Sequence, residues 1–104
     1  MAVAFVQEFK IEAGGDRSTA NYDYIFDQLN LAENPADGLI SHTAGFDEDQ
    51  LVFRVFDVWA SQEQAERFIS ERLSPLLTGT VPNPDNSAPP DRQYFYDLHS
   101  TLMP

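Results

Sequence analysis

The chain has no cysteine, a single lysine (Lys10) and no long apolar run, and each absence closes off a class of function. Without cysteine there are no disulfides, no thiolate nucleophile and no cysteine-ligated zinc or iron–sulfur centre, which fits a reducing, cytoplasmic address. The apolar N-terminal stretch Ala2–Val6 gives way to Gln7 and Glu8. It is too short for a signal-peptide core or a membrane span, so no membrane partner is expected. Basic residues are scarce: six Lys and Arg stand against seventeen Asp and Glu, a formal net charge of −11. Such a surface repels phosphate backbones, which argues against nucleic acid as a partner, and it reads most simply as a solubilising acidic coat.

What remains is the composition of a folded protein, 42% hydrophobic with eight phenylalanines in 104 residues, enough for one domain spanning 1–104 around one core. Residues 2–10 alternate with Val3, Phe5, Gln7 and Phe9 on one face and Ala2, Ala4, Val6 and Glu8 on the other. Apolar on both sides, they read as a central strand. Gly14-Gly15-Asp16 breaks the pattern, and Ser18 or Thr19 then caps a helix with Tyr22, Ile25, Phe26 and Leu29 on one face. After Asn34–Gly38 comes a more polar, edge-like strand, Leu39–Phe46. The acidic turn Asp47-Glu48-Asp49 joins it as a hairpin to Leu51–Ala60, the most apolar run in the chain. Ser61-Gln62-Glu63-Gln64 is a capping box, with Gln64 reaching back toward Ser61, and it opens a second helix whose apolar face is Ala65, Phe68, Ile69, Leu73 and Leu76. Pro75 should bend or end that helix. A proline-rich loop, 79–91, leads to a last strand, Tyr94–Leu102.

The order β-α-β-β-α-β predicts an α+β, ferredoxin-like fold: a four-stranded antiparallel sheet, strands one and three central, with both helices on one face. Nothing in the chain covers the other, substantially apolar face, so a homodimer through that sheet face is expected.

The junction FDVWASQEQAERFI, Phe56 to Ile69, resembles the antibiotic-biosynthesis-monooxygenase-like families of the dimeric α+β barrel superfamily, which share a strand ending in Trp, then Ser and a capped helix. The resemblance implies a dimeric barrel and a choice among cofactor-free monooxygenases, haem-degrading enzymes, decarboxylases, cyclases and members without assigned activity. Haem-degrading members use an Asn on the first strand and a Trp and a His on the second helix. Here the first strand offers Gln7 and the second helix has neither, so no haem and no other cofactor is expected.

Four residues stand out as ligand-pocket candidates. His42, on the second strand, suits a general base or a ligand-orienting group, although a hydrogen-bonded structural role is the simpler account. Arg54 interrupts the third strand and needs a carboxylate such as Glu8, Asp57 or Asp97, or else an anionic ligand. Tyr22 and Trp59 could wall a flat aromatic molecule or simply pack the core. Arg54 and Trp59 differ in parity and so face opposite sides of a regular strand. His99 is expected at a surface or interface, and two isolated histidines make no metal site. No acid, base and nucleophile assemble in the pattern. The expected function is therefore binding of a small apolar or aromatic molecule without clear catalytic machinery, with a cofactor-independent monooxygenase acting on an aromatic or polyketide-like compound as the alternative. An open pocket between helices and sheet, reached past the 79–91 loop, would point to the enzyme. One filled by Phe26, Phe56 and Phe68 would point to the binding protein.

Overall fold

Alternating apolar residues along the first segment make β1 (Val3–Lys10), and the same periodicity makes β3 (Val52–Trp59), the two strands that occupy the centre of the sheet. The computed structural model describes residues 1–86 and 88–102. Ser87, which falls in the expected loop, lies outside the described residues, as do Met103 and Pro104. Among the described residues, β1 and β3 are flanked by β2 (Leu39–Asp47) and β4 (Arg92–Asp97) in the order β2-β3-β1-β4, antiparallel throughout. This is the split arrangement expected from the order of elements, with the two more polar strands at the edges. The last strand starts two residues earlier than its alternation suggested and stops at Asp97, so Leu98 and His99 lie beyond it. Leu98 still ties the chain back through its N–H to Ala2 O, at 2.9 Å.

The hairpin turn sets the pairing that matters later. Phe46 sits opposite Phe53, and four residues further along each strand His42 sits opposite Asp57. A bulge follows between Leu39 and Ser41.

Helix α1 (Ala20–Leu29) begins after Thr19, whose hydroxyl donates to the Asp23 carboxylate at 2.8 Å rather than capping a backbone N–H. Its far end is held by Arg72, which donates to the carbonyls of Leu29, Asn34 and Pro35. The second helical run has three parts: α2 (Gln62–Phe68), a π-helical turn (Ile69–Leu73) and α3 (Ser74–Leu77). Pro75 neither ends it nor breaks it. Proline has no N–H to give the preceding turn, and the chain absorbs it by widening that turn, so that Ser74 N–H reaches back to Ile69 O, and by seating Pro75 in the first turn of α3.

At the start of α2, Ser61 Oγ accepts from Gln64 N–H at 3.2 Å, as the capping box requires. The Gln64 side chain meets Ser61 at its hydroxyl, Ser61 Oγ donating to Gln64 Oε1 at 3.0 Å, instead of reaching the backbone N–H. Gln64 also rests on Gly38, where φ is +88° and an added Cβ would come within 2.5 Å of the Gln64 amide, so only glycine fits. Ser61→Ala removes the N-cap acceptor and is expected to lower stability by about 1 kcal/mol. Denaturant unfolding with an unchanged midpoint and slope would refute this role.

The tightest packing lies at one end of the helix-covered sheet face. Val3, Phe5 and Trp59 meet Ala36 and Ala65 there, with Phe68, Ile69 and Phe95 packed around them. Ala65 is fully buried, and its single methyl lets α2 lie close to the sheet. The opposite sheet face carries Ala4, Val6 and Val58, buried between the larger Phe56, Tyr94 and Tyr96 that pair beside them. Further along that face Arg54 donates to Glu8 at 2.8 Å and to Asp47 at 2.9 Å. Arg92 adds a longer contact to Glu8 at 3.4 Å. No helix among the described residues is long and apolar enough to cross a membrane.

Candidate functional site

Helix α1 has a clear apolar stripe, yet none of its residues is buried, and Phe26 is 41% exposed. The reason is the space beneath it: a cavity of about 670 Å³ separates α1 from the sheet. Its walls come from the odd-numbered side chains of β1 and β3, from His42 and Phe46 on β2, from the inner faces of α1 and the π-helical turn, and from the proline-rich segment near residues 88–90. Apolar and aromatic side chains make up most of the surface, in the manner of a small-molecule site. The loop beside it is held by Asn21 of α1. That side chain accepts from Asn83 N–H at 2.8 Å and donates to the carbonyls of Asn83 and Asn86.

One chain of hydrogen bonds crosses this surface. Tyr22 Oη lies 2.5 Å from His42 Nε2, and His42 Nδ1 lies 2.5 Å from Asp57 Oδ1. Trp59 Nε1 donates to the other carboxylate oxygen, Asp57 Oδ2, at 3.3 Å. A carboxylate only accepts, so the Asp57 contact places the ring hydrogen on Nδ1 and leaves Nε2 to accept from the Tyr22 hydroxyl. The imidazole ring is clamped as well as bonded, stacking on Phe26 at 5.4 Å and on Tyr22 at 5.9 Å. Burial, with Asp57 and then Asp23 adding negative charge nearby, pushes the Tyr22 phenol above its ordinary value, so it stays a neutral hydroxyl at physiological pH. The arrangement can hand a proton along a line from the cavity surface to a half-buried imidazole hydrogen-bonded to a carboxylate.

Of the four residues singled out from sequence, three come together. His42, Tyr22 and Trp59 all line the cavity and belong to one hydrogen-bonded chain. Arg54 does not join them. It points from the other side of β3, as the parity argument required, and its charge is met by Glu8 and Asp47; of the three carboxylates expected for it, only Glu8 is a partner. Phe26 lines the cavity without filling it, Phe68 packs on Trp59 with ring centroids 5.2 Å apart, and Phe56 is on the far sheet face. The residue that sequence reasoning missed is Asp57, considered there only as a partner for Arg54. Its signal was present: once Phe46 faces Phe53 across the hairpin, antiparallel register alone brings His42 opposite Asp57. Among the described residues no group of three metal-ligating side chains forms.

No family model and no curated protein sequence matches the chain. Solved structures do. A variant of SnoaB, a cofactor-independent oxygenase from Streptomyces nogalater, superposes with a TM-score of 0.63 at 17% identity over 97% of this chain and 96% of its own. A protein of unknown function from Nitrosomonas europaea gives 0.66 at 22% identity, covering 99% and 94% of the two chains. A Chloroflexus aurantiacus protein provisionally assigned as an antibiotic biosynthesis monooxygenase gives 0.60 at 12% identity, covering 99% and 98%. The chain thus shares, over nearly its whole length, the ferredoxin-like α+β fold of these proteins, in keeping with the resemblance carried by Phe56 to Ile69.

Proposed function

We propose that the protein, acting as one domain, binds a small, flat, largely apolar molecule in the cavity beneath α1. Tyr22, Phe26 and Trp59 form the aromatic wall, and the Tyr22–His42 pair is the polar anchor. The observation that carries this reading is the unfilled volume of about 670 Å³ under a helix whose apolar stripe remains unburied, because an apolar face is left open only where something else covers it. Mass spectrometry of the purified protein under non-denaturing conditions is expected to detect a retained aromatic compound, and titration of ligand-stripped protein with 1-naphthol is expected to quench Trp59, the sole tryptophan. A ligand-free protein whose fluorescence ignores the naphthol would overturn the reading.

Two copies should associate through the sheet face away from the helices. Tyr96, 46% exposed there, stands beside Ala4 on a face that is apolar along β1, β3 and β4, which suits the approach of a second sheet. Light scattering at micromolar concentration is expected to give about twice the chain mass; a clean monomer would contradict it. The lack of cysteine supports a cytoplasmic setting.

A second reading, oxygenation of an aromatic or polyketide-like compound without a cofactor, is favoured by one observation: the cavity is open rather than plugged by phenylalanine, and a polar relay reaches its wall. Oxygen uptake above the uncatalysed rate with a bound polycyclic phenol would favour this reading over simple binding.

A further inference from the structure

The hydrogen-bond chain is more elaborate than an anchor for a neutral apolar ligand needs. Both Asp57 oxygens are engaged, one by His42 and one by Trp59, in a side chain that is itself buried. An imidazole so held keeps its Nδ1–H on a carboxylate and presents Nε2 as an acceptor. Its other nitrogen is met by the Tyr22 hydroxyl, whose oxygen, in donating to it, retains lone pairs to accept from another donor, and Tyr22 lines the cavity.

We propose that the Tyr22–His42–Asp57 chain takes the proton of an acidic hydroxyl, so that the cavity selects phenols or enols and holds them as their anions. The inference rests on the cavity-binding reading above and adds the ligand's chemical class. The ligand O–H donates to Tyr22 Oη. As its proton passes to Tyr22, the proton of Tyr22 passes to His42 Nε2. One ligand O–H bond breaks, one Nε2–H bond forms and Tyr22 ends as it began, while the bound pair becomes an oxyanion beside an imidazolium that Asp57 neutralises. Burial holds the Tyr22 phenol above its ordinary pKa, which fits a conduit that does not itself keep the charge.

The ionisable groups facing His42 are Asp57 across the β2–β3 ladder and Tyr22 on α1, with Asp23 on the same helix acting on Tyr22. Phe5 and Gln7 of β1, beyond β3, are uncharged, and Phe95 of β4 stacks on Phe5. Lys10, Glu12, Asp16 and Asp91 line other parts of the cavity. The protein as a whole, at −11, repels anions, so accumulation of a phenolate inside it requires a local proton acceptor rather than general attraction.

The test uses 4-nitrophenol, whose anion is coloured, beside 4-nitroanisole, which has the same ring and no acidic proton. At a pH about one unit below the ionisation of free 4-nitrophenol, the ratio of anion to neutral compound is expected to be about tenfold higher for the bound compound than for the free one, a shift of one pKa unit. Tyr22→Phe and His42→Asn should each abolish the phenolate band while 4-nitroanisole still binds, and circular dichroism checks that both variants remain folded. Nitrophenol bound only in its neutral form, or a band that persists in Tyr22→Phe, would overturn the relay and leave the cavity reading intact. Binding of neither compound to the wild-type protein would overturn both.

Discussion

Trp59→Ala is expected to remove about 3–5 kcal/mol of stability, the largest loss of any single substitution considered for this chain. Trp59 is 1% exposed and is the largest fully buried side chain among the described residues. Truncation removes its stack with Phe68 and leaves a void where Val3, Phe5, Ala36 and Ala65 converge; a cavity of that size refills only partly. It also takes away the indole N–H that holds Asp57 Oδ2. A domain of this size is marginal, with about 5–15 kcal/mol in total, so the variant should lose a large share of its stability and unfold at a clearly lower denaturant concentration. Trp59→Phe separates the two effects. It keeps most of the apolar volume and loses only the N–H, so its cost should be about 1–3 kcal/mol, the penalty of an under-satisfied buried acceptor. Denaturant melts of both variants give the comparison, and a Trp59→Phe protein as stable as the wild type would mean that the bond to Asp57 contributes nothing.

Arg54→Met should lower stability by about 2–3 kcal/mol while leaving ligand binding untouched. The figure belongs to Glu8, a buried carboxylate that would lose its 2.8 Å partner and keep only the longer Arg92 contact at 3.4 Å. Binding should hold because Arg54 faces away from the cavity, across the thickness of the sheet. The cluster also predicts the shape of the acid response. The hydrogen bond from Arg54, followed by the backbone N–H of Gln50, holds the Asp47 carboxyl below its ordinary 3.8. A depressed folded value means that the contribution is present above 3.8 and is lost as pH falls through the lower folded value. The stability gap between wild type and Arg54→Met should therefore narrow in acid below that point. Urea melts across the acid range, with naphthol titration of the same variant, test both parts; intact stability together with lost binding would reverse the assignment of Arg54.

How much of this was legible in the chain depends on how far apart the interacting residues are. Local patterns settled the elements. Period-2 alternation gave β1 and β3 their central positions, and the Ser61–Gln64 box marked the start of α2. Strand order followed, because right-handed crossovers leave few ways to lay out β-α-β-β-α-β. Even the opposite facing of Arg54 and Trp59 was contained in their spacing, since side chains on a strand alternate. Boundaries were less secure: β4 ends at Asp97 although the alternation runs on, because pairing with β1 ends where β1 itself begins, at Val3. Pro75 was read as a bend or an end, but the helical run continues past it to Leu77 through a π-helical turn, and a sequence gives no sign of that widening.

The site divides along the same line. The sequence by itself determined that His42, Tyr22 and Trp59 were polar or amphipathic groups set in apolar patterns, each in need of a partner. Only the tertiary structure decided that His42 and Trp59 share one carboxylate, Asp57, that Tyr22 finds its partner in His42, and that α1 stands off the sheet far enough to leave a cavity above it. The first depends on cross-strand register, which one turn fixes at a distance. The second depends on how bulky side chains from α1, β3 and the π-helical turn fit together in three dimensions, and packing volume has no one-dimensional period to read.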